Sequence, residues 1–165
     1  MNISLEERIR KIEDYQAILD LKGRYCNACD GGWDRPSHDY DLVTTLFTED
    51  AVWDGRPGLP LAQGRDAIRA MMQKFREQLP FIIHHVMNPV INIDGDKATA
   101  HWHAIIHYQR SKGASTSFAV YEESYVRTDS GWRILSLRVC NTAHVHMRDG
   151  TVTTEFVTNS AGRDR

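Results

Sequence analysis

An α+β domain, with helices packed on one face of a curved antiparallel sheet, is what three observations in this sequence predict. Apolar residues recur every three to four positions through the first half of the chain, strict alternation takes over from residue 81, and short turn signals separate the alternating runs. Helices first and strands afterwards make a helical layer over a sheet that curls into a cone, an α+β barrel around one cavity. A chain of 165 residues is long enough for one core and one pocket. The expected domain spans 1–158, and 159–165 reads as a polar C-terminal tail.

Residues 4–30 carry helix signals throughout. Ser4 caps with Glu7 three positions on, and Leu5, Ile9, Ile12, Ile18, Leu21, Tyr25 and Cys29 form an apolar stripe. Glu6–Arg10, Glu7–Lys11 and Asp20–Arg24 are paired four apart in the favourable order on the other side. Gly31-Gly32 ends the helix by supplying left-handed backbone. A short helix follows over 40–47, then a brief strand over 51–53. The loop 55–64, with Pro57 and Pro60, is a candidate edge of the pocket. A third helix opens at Gly64-Arg65-Asp66, buries Ala67, Ile68, Met71, Met72, Phe75 and Leu79, and stops at Pro80. Strands are expected over 81–94, 97–110, 117–129 and 131–147, joined by Asp94-Gly95, Lys112-Gly113 and Asp129-Ser130-Gly131.

Composition excludes several classes of function. Twenty Lys and Arg stand against 22 Asp and Glu with no basic run, so nucleic acid is not an expected partner. No apolar run approaches the roughly 20 residues that span a bilayer, and the charged N-terminus is no signal core, so the reading is a cytoplasmic protein without membrane contact. Cys26, Cys29 and Cys140 are an odd number for a disulfide framework. The C-x-x-C of Cys26 and Cys29 closes a helix, where the negative dipole end raises a thiol pKa, and no second pair completes a zinc site. Packing is the simpler reading of both thiols.

The residues able to do acid–base chemistry are a histidine pair and an acid. His84 and His85 are adjacent on a strand, so only one can enter the cavity. The helix that must cover this strand ends with Tyr25 and Asp30, and an imidazole held by a carboxylate is a general base of fixed tautomer. A lone strand histidine is otherwise a hydrogen-bonded structural residue. On the next strand His101, His103 and His107 share one face while Trp102, Ala104, Ile106 and Tyr108 share the other. If the histidine face is inward it adds a second proton donor. The H-x-H pairs His101/His103 and His144/His146 raise a metal reading, set below acid–base chemistry because the segment Ala104-Ile105-Ile106-His107-Tyr108 lacks the glutamate that cupin barrels place after H-x-H. No metal is expected. There is no G-x-S-x-G elbow, P-loop or G-x-G-x-x-G.

The order of these elements, with Phe47-Thr48-Glu49-Asp50-Ala51-Val52-Trp53, Gly64-Arg65-Asp66-Ala67-Ile68, Glu123-Ser124-Tyr125-Val126-Arg127 and Gly131-Trp132-Arg133-Ile134, resembles the SnoaL-like branch of the nuclear transport factor two-like superfamily. Within it the chain is most similar to the dehydratase group: bile acid 7α-dehydratase, scytalone dehydratase and hexachlorocyclohexane dehydrochlorinase. The resemblance implies a cofactor-free lyase acting on a small hydrophobic hydroxylated or ketone-bearing substrate, in a homo-oligomer, a trimer or alternatively a dimer. A ketone isomerase, a polyketide cyclase and a non-catalytic binding module are the alternatives.

Residue by residue, Leu21-Lys22-Gly23-Arg24-Tyr25 and Cys29-Asp30-Gly31 match the segment that carries the group's catalytic tyrosine and aspartate, which implies Tyr25 and Asp30. The histidine falls on His84, with His85 outward. The bile acid enzyme's further aspartate falls near Ile106, and the resemblance leaves His103 or His107 to fill its place. Trp53, Arg138, Tyr125 and Phe118 are the expected substrate-binding residues, Arg138 lying near the arginine of the dehydrochlorinase's last strand.

Overall fold

The computed structural model describes residues 4–32, 38–110 and 113–157. The expected tail at 159–165 and Lys112 of one expected turn lie outside the described residues. The element order is α1 (Leu5–Cys29), α2 (Tyr40–Thr45), β1 (Phe47–Asp54), β2 (Leu61–Gln63), α3 (Arg65–Gln78), β3 (Phe81–Asp94), β4 (Lys97–Arg110), β5 (Gly113–Thr128), β6 (Gly131–Arg148) and β7 (Thr151–Phe156). Three helices pack on one curved, unclosed sheet of strand order β2-β1-β6-β5-β4-β3, with β7 also on β6. The fold is α+β.

Capping sets the helix starts. The Ser4 hydroxyl accepts from the Glu7 N–H at 3.1 Å and the Asp39 carboxylate from the Leu42 N–H at 2.9 Å. The apolar stripe of α1 divides into two halves: Leu5, Ile9 and Ile12 are exposed, whereas Ile18, Leu21 and Tyr25 are buried. The sheet-facing part of α1 therefore begins at Asp14. In α3 the buried residues are Ile68, Met71 and Met72, and Ala67 faces out.

Two expectations about the sheet are corrected. It is mixed, because β1 runs parallel to β6. The Leu46 carbonyl, at the end of α2, accepts from the Ile134 N–H at 2.9 Å, so the chain leaves α2 already alongside β6 and in its direction. The sheet also stays open: β1 pairs with residues 134–138 of β6 and β7 with residues 143–148, dividing one strand edge between two short strands. Neither β2 nor β7 is marked by the alternation that reveals the longer strands.

The end of α1 differs from the glycine stop that the sequence suggests. The helix closes on Asp30, which is extended (φ −76°, ψ 154°) and donates its N–H to the Cys26 carbonyl at 2.9 Å. Gly31 then pairs with Ile82 of edge strand β3, each N–H bonding the other's carbonyl at 2.8 and 2.9 Å. Gly32 alone of the two is left-handed (φ +101°), and a Cβ on it would stand 2.3 Å from the Pro80 carbonyl oxygen. This close approach ties α1 to β3.

Among the described residues no helix is long and apolar enough to cross a membrane.

Candidate active site

Between the helices and the concave sheet face lies a cavity of about 500 Å³. Its helical wall brings Tyr25, Val43, Met72 and Phe75; Trp53 and the loop residues Pro57–Leu59 close one side; Ile82, His84, Ile106, Tyr108, Ser117, Tyr121, Asn141 and His144 form the sheet wall. Apolar walls with a few placed polar groups suit a small organic ligand.

His84 points inward and His85 outward, as alternation requires. The His84 Nδ1 lies 2.5 Å from the Asp30 Oδ1, and the same oxygen accepts the His84 backbone N–H at 2.9 Å. Both side chains are more than nine-tenths buried. With Nδ1 donating to the carboxylate, the lone pair belongs to Nε2. Asp30 is thereby a helix cap, a clasp on the edge strand and the orienter of an imidazole at the cavity wall.

Tyr25 lines the same cavity, 2 % exposed, its hydroxyl oxygen accepting from the Trp53 indole N–H at 3.0 Å. Burial, the largest influence, lifts the phenol well above its ordinary pKa of 10, against the smaller opposing effect of the Trp53 bond. Tyr25 is consequently a neutral O–H donor. Tyr121, also on the cavity wall, is raised for the same reason. Burial pushes the Cys26 thiol up to about 12 and raises Cys29 as well, so neither is a ready thiolate.

Several expected site residues stand elsewhere. His103 and His107 are exposed on the outer sheet face, where Asn88 lies 3.3 Å from His103 and the Thr116 hydroxyl 2.9 Å from His107. The inward residues of β4 include Trp102, Ala104, Ile106 and Tyr108. Phe118 is outward for the same alternation reason, and Arg138 is an exposed partner of Glu122 at 3.6 Å. Tyr125 faces inward but beyond the cavity, in the packed end of the sheet, where it donates to Glu123 and accepts from the Trp102 indole at 3.3 Å. Phe118 and Tyr125 have opposite parity on one strand, a signal that both could not enter. Trp53 does line the cavity.

Sequence reasoning passed over the buried pair under the cavity. The Lys22 ammonium is 2.5 Å from the Glu123 carboxylate and 3.6 Å from the Tyr121 ring centre, with both charged side chains essentially inaccessible. Lys22 is four residues after Ile18 and four before Cys26, on the buried stripe of α1, which was the available signal. It also left open the direction of His144 and His146. A bulge at Thr142, between the pairs Ala119↔Asn141 and Phe118↔Ala143, shifts the alternation of β6 and turns both histidines inward. The Thr142 hydroxyl holds the bulge by donating to the Phe118 carbonyl at 2.9 Å. His38, from the segment after α1, also lines the cavity, and its Nε2 is buried without a partner among the described residues.

Among the described residues no group of three or more His, Cys, Asp or Glu is arranged to hold a metal ion. The rings of His101 and His103 meet edge to face at 5.6 Å on the outer face, and those of His144 and His146 stack at 5.9 Å inside.

Comparison with known proteins supplies family and fold. No protein of curated function matches the chain. Among solved structures, a provisionally named aromatic ring hydroxylase from Novosphingobium aromaticivorans superposes with a TM-score of 0.72 at 26 % identity, over 87 % of this chain and 94 % of that one. A provisionally named scytalone dehydratase from the same organism gives 0.72 at 18 % identity, over 90 % and 91 %. Hexachlorocyclohexane dehydrochlorinase LinA-type3 from Novosphingobium barchaimii gives 0.76 at 17 % identity, over 92 % and 99 %. The last two likenesses are of fold. The model of the SnoaL-like domain matches residues 10–138, and the chain belongs to that family.

Proposed function

We propose that this protein is a lyase of the dehydratase type, removing water from a small hydrophobic substrate whose hydroxyl stands beta to a carbonyl. The single observation that carries the reading is the 2.5 Å contact between His84 and Asp30 at the wall of a mostly apolar cavity. The His84 Nε2 takes the proton from the carbon beside the carbonyl, and the C–H electron pair moves into the enolate. Tyr25, a neutral donor, bonds the developing oxyanion. As the enolate collapses, the C–O bond to the departing hydroxyl breaks, and the imidazolium returns its proton so that water leaves. Atoms and charge balance with His84 alone as carrier. That matters because Ile106, the residue paired with His84 on β4, supplies no acid. Asp30 fixes the tautomer and stabilises the transient imidazolium; proton transfer of this type contributes roughly 10²–10⁴-fold.

The dehydratase and dehydrochlorinase names among the neighbours of like fold support the reaction class without fixing the substrate. Ketone isomerisation is the second reading, favoured by the same missing acid at Ile106, since a proton held on His84 can return to another carbon. Product analysis separates the two. The test is turnover of hydroxylated steroids, polyketides and alicyclic β-hydroxy ketones by the wild type, Asp30→Asn and His84→Ala. Loss of activity in both variants is expected; unchanged activity in both would overturn the proposal.

A further inference from the structure

The sheet register places His84, Ile106, Ser117 and His144 on one row across four strands: His84 pairs with Ile106, Ile106 with Ser117, and Ser117 with His144. All four line the cavity. Neighbouring strands are about 4.8 Å apart, so the two histidine backbones are separated by roughly 14 Å along the sheet, and its curvature brings the ring tips closer. Two imidazoles thus stand on the same cavity wall, with Ile106 and Ser117 between them.

His144 differs from the other histidine of its pair. His146 is held, its Nδ1 2.8 Å from the Ser115 hydroxyl and its Nε2 3.8 Å from Glu155. The Nδ1 of His144 is buried with no partner among the described residues. A buried lone pair without a partner is tolerated more readily than a buried N–H, so the proton of the neutral ring belongs on Nε2. Burial, helped by the neighbouring His146 and opposed by Glu155, lowers the His144 pKa and favours the uncharged ring. The result is a fixed N–H donor without formal charge.

We propose that His144 is a specificity-determining residue, donating a hydrogen bond to a substrate oxygen at the other end of the row from His84. This rests on the cavity being the active site proposed above. Ser117, whose hydroxyl is engaged with the Asn141 side-chain oxygen at 2.6 Å, leaves that contact to His144.

The test uses two bicyclic ketones of equal shape, 5-hydroxy-1-indanone and 5-methyl-1-indanone, and compares their Kd by calorimetry. The wild type is expected to prefer the hydroxyl compound roughly five- to tenfold, the worth of one hydrogen bond. In His144→Leu that preference should fall within about twofold while the Kd of the methyl compound stays unchanged, and His144→Gln, which keeps an N–H, should recover part of it. A preference that persists in His144→Leu, no preference in the wild type, or failure of both ketones to bind the wild type overturns the proposal. None of these measurements needs turnover. A preference lost with His144 in a protein that eliminates nothing would sink the lyase reading alone.

Discussion

One oxygen of Asp30 takes two hydrogen bonds from a single residue: its Oδ1 receives both the backbone N–H and the Nδ1 of His84, at 2.9 and 2.5 Å. The backbone bond fixes where the strand lies, and the ring bond fixes which nitrogen faces the cavity. Position and protonation are set by the same atom.

Asparagine at position 30 keeps an acceptor oxygen but loses the charge. Asp30→Asn is therefore expected to lower kcat by about 10²–10⁴-fold with little change in unfolding temperature. Asp30→Ala removes both bonds and should lower kcat as far while also costing about 1–3 kcal/mol in urea unfolding. Wild-type kcat in Asp30→Asn would show that the carboxylate has no part in the chemistry.

Tyr25 is expected to act as O–H at every working pH. Its pKa is raised, so the proton stays on as pH rises through 10, and no alkaline loss of activity below pH 10 belongs to it. Tyr25→Phe should reduce kcat roughly 10²-fold, the cost of one oxyanion donor, and leave the shape of the pH–rate profile intact. An alkaline limb that disappears in Tyr25→Phe contradicts this.

The Lys22–Glu123 pair should behave as a buried ion pair does. Lys22→Met or Glu123→Leu alone strands a charge and is expected to cost about 3–5 kcal/mol in chemical denaturation. The double variant should recover much of that loss. A double variant as unstable as the sum of the singles would mean that the two groups act independently.

Asp14 links α1 to the lower sheet, accepting from the Arg127 guanidinium at 2.6 Å and the Trp132 indole at 3.1 Å. The Arg127 bond is the largest cause of a pKa held below the ordinary 3.8. A depressed carboxyl pKa contributes stability above the unfolded value, and that stability is lost as pH falls through the folded value. Asp14→Asn is expected to lower stability at pH 7 by about 1–3 kcal/mol and to weaken the acid dependence below pH 4, measured by denaturation at pH 7 and pH 3. Equal acid sensitivity in the two proteins would remove Asp14 from the account.

The class of fold and the long elements were legible because their apolar periods are long and regular, and Tyr25, Asp30, His84 and Trp53 could be named from the segments that resemble the family. What was hidden depended on parity and on contacts across the chain. The β4 histidines share a face, but nothing in the strand itself states which face is inward, and His103 and His107 lie outside. The direction of His144 depends on one extra residue at Thr142, which alternation cannot reveal. Lys22 and Glu123 are 101 residues apart, and although the stripe of α1 marks Lys22 as inward, nothing local names its partner. The parallel run of β1 is likewise decided by the point where α2 delivers the chain.

The clasp between the end of α1 and β3 also bears on self-association. An edge strand offers its free N–H and C=O groups to any other strand, the usual start of aggregation. Here the outward N–H groups of Ile82 and His84 are already taken by the Gly31 carbonyl and the Asp30 carboxylate, and farther along Pro89 has no N–H beside a register irregularity between Met87 and Val90. The acid that orients the histidine therefore also covers part of the sheet edge, and losing it would free the His84 N–H for intermolecular strand pairing.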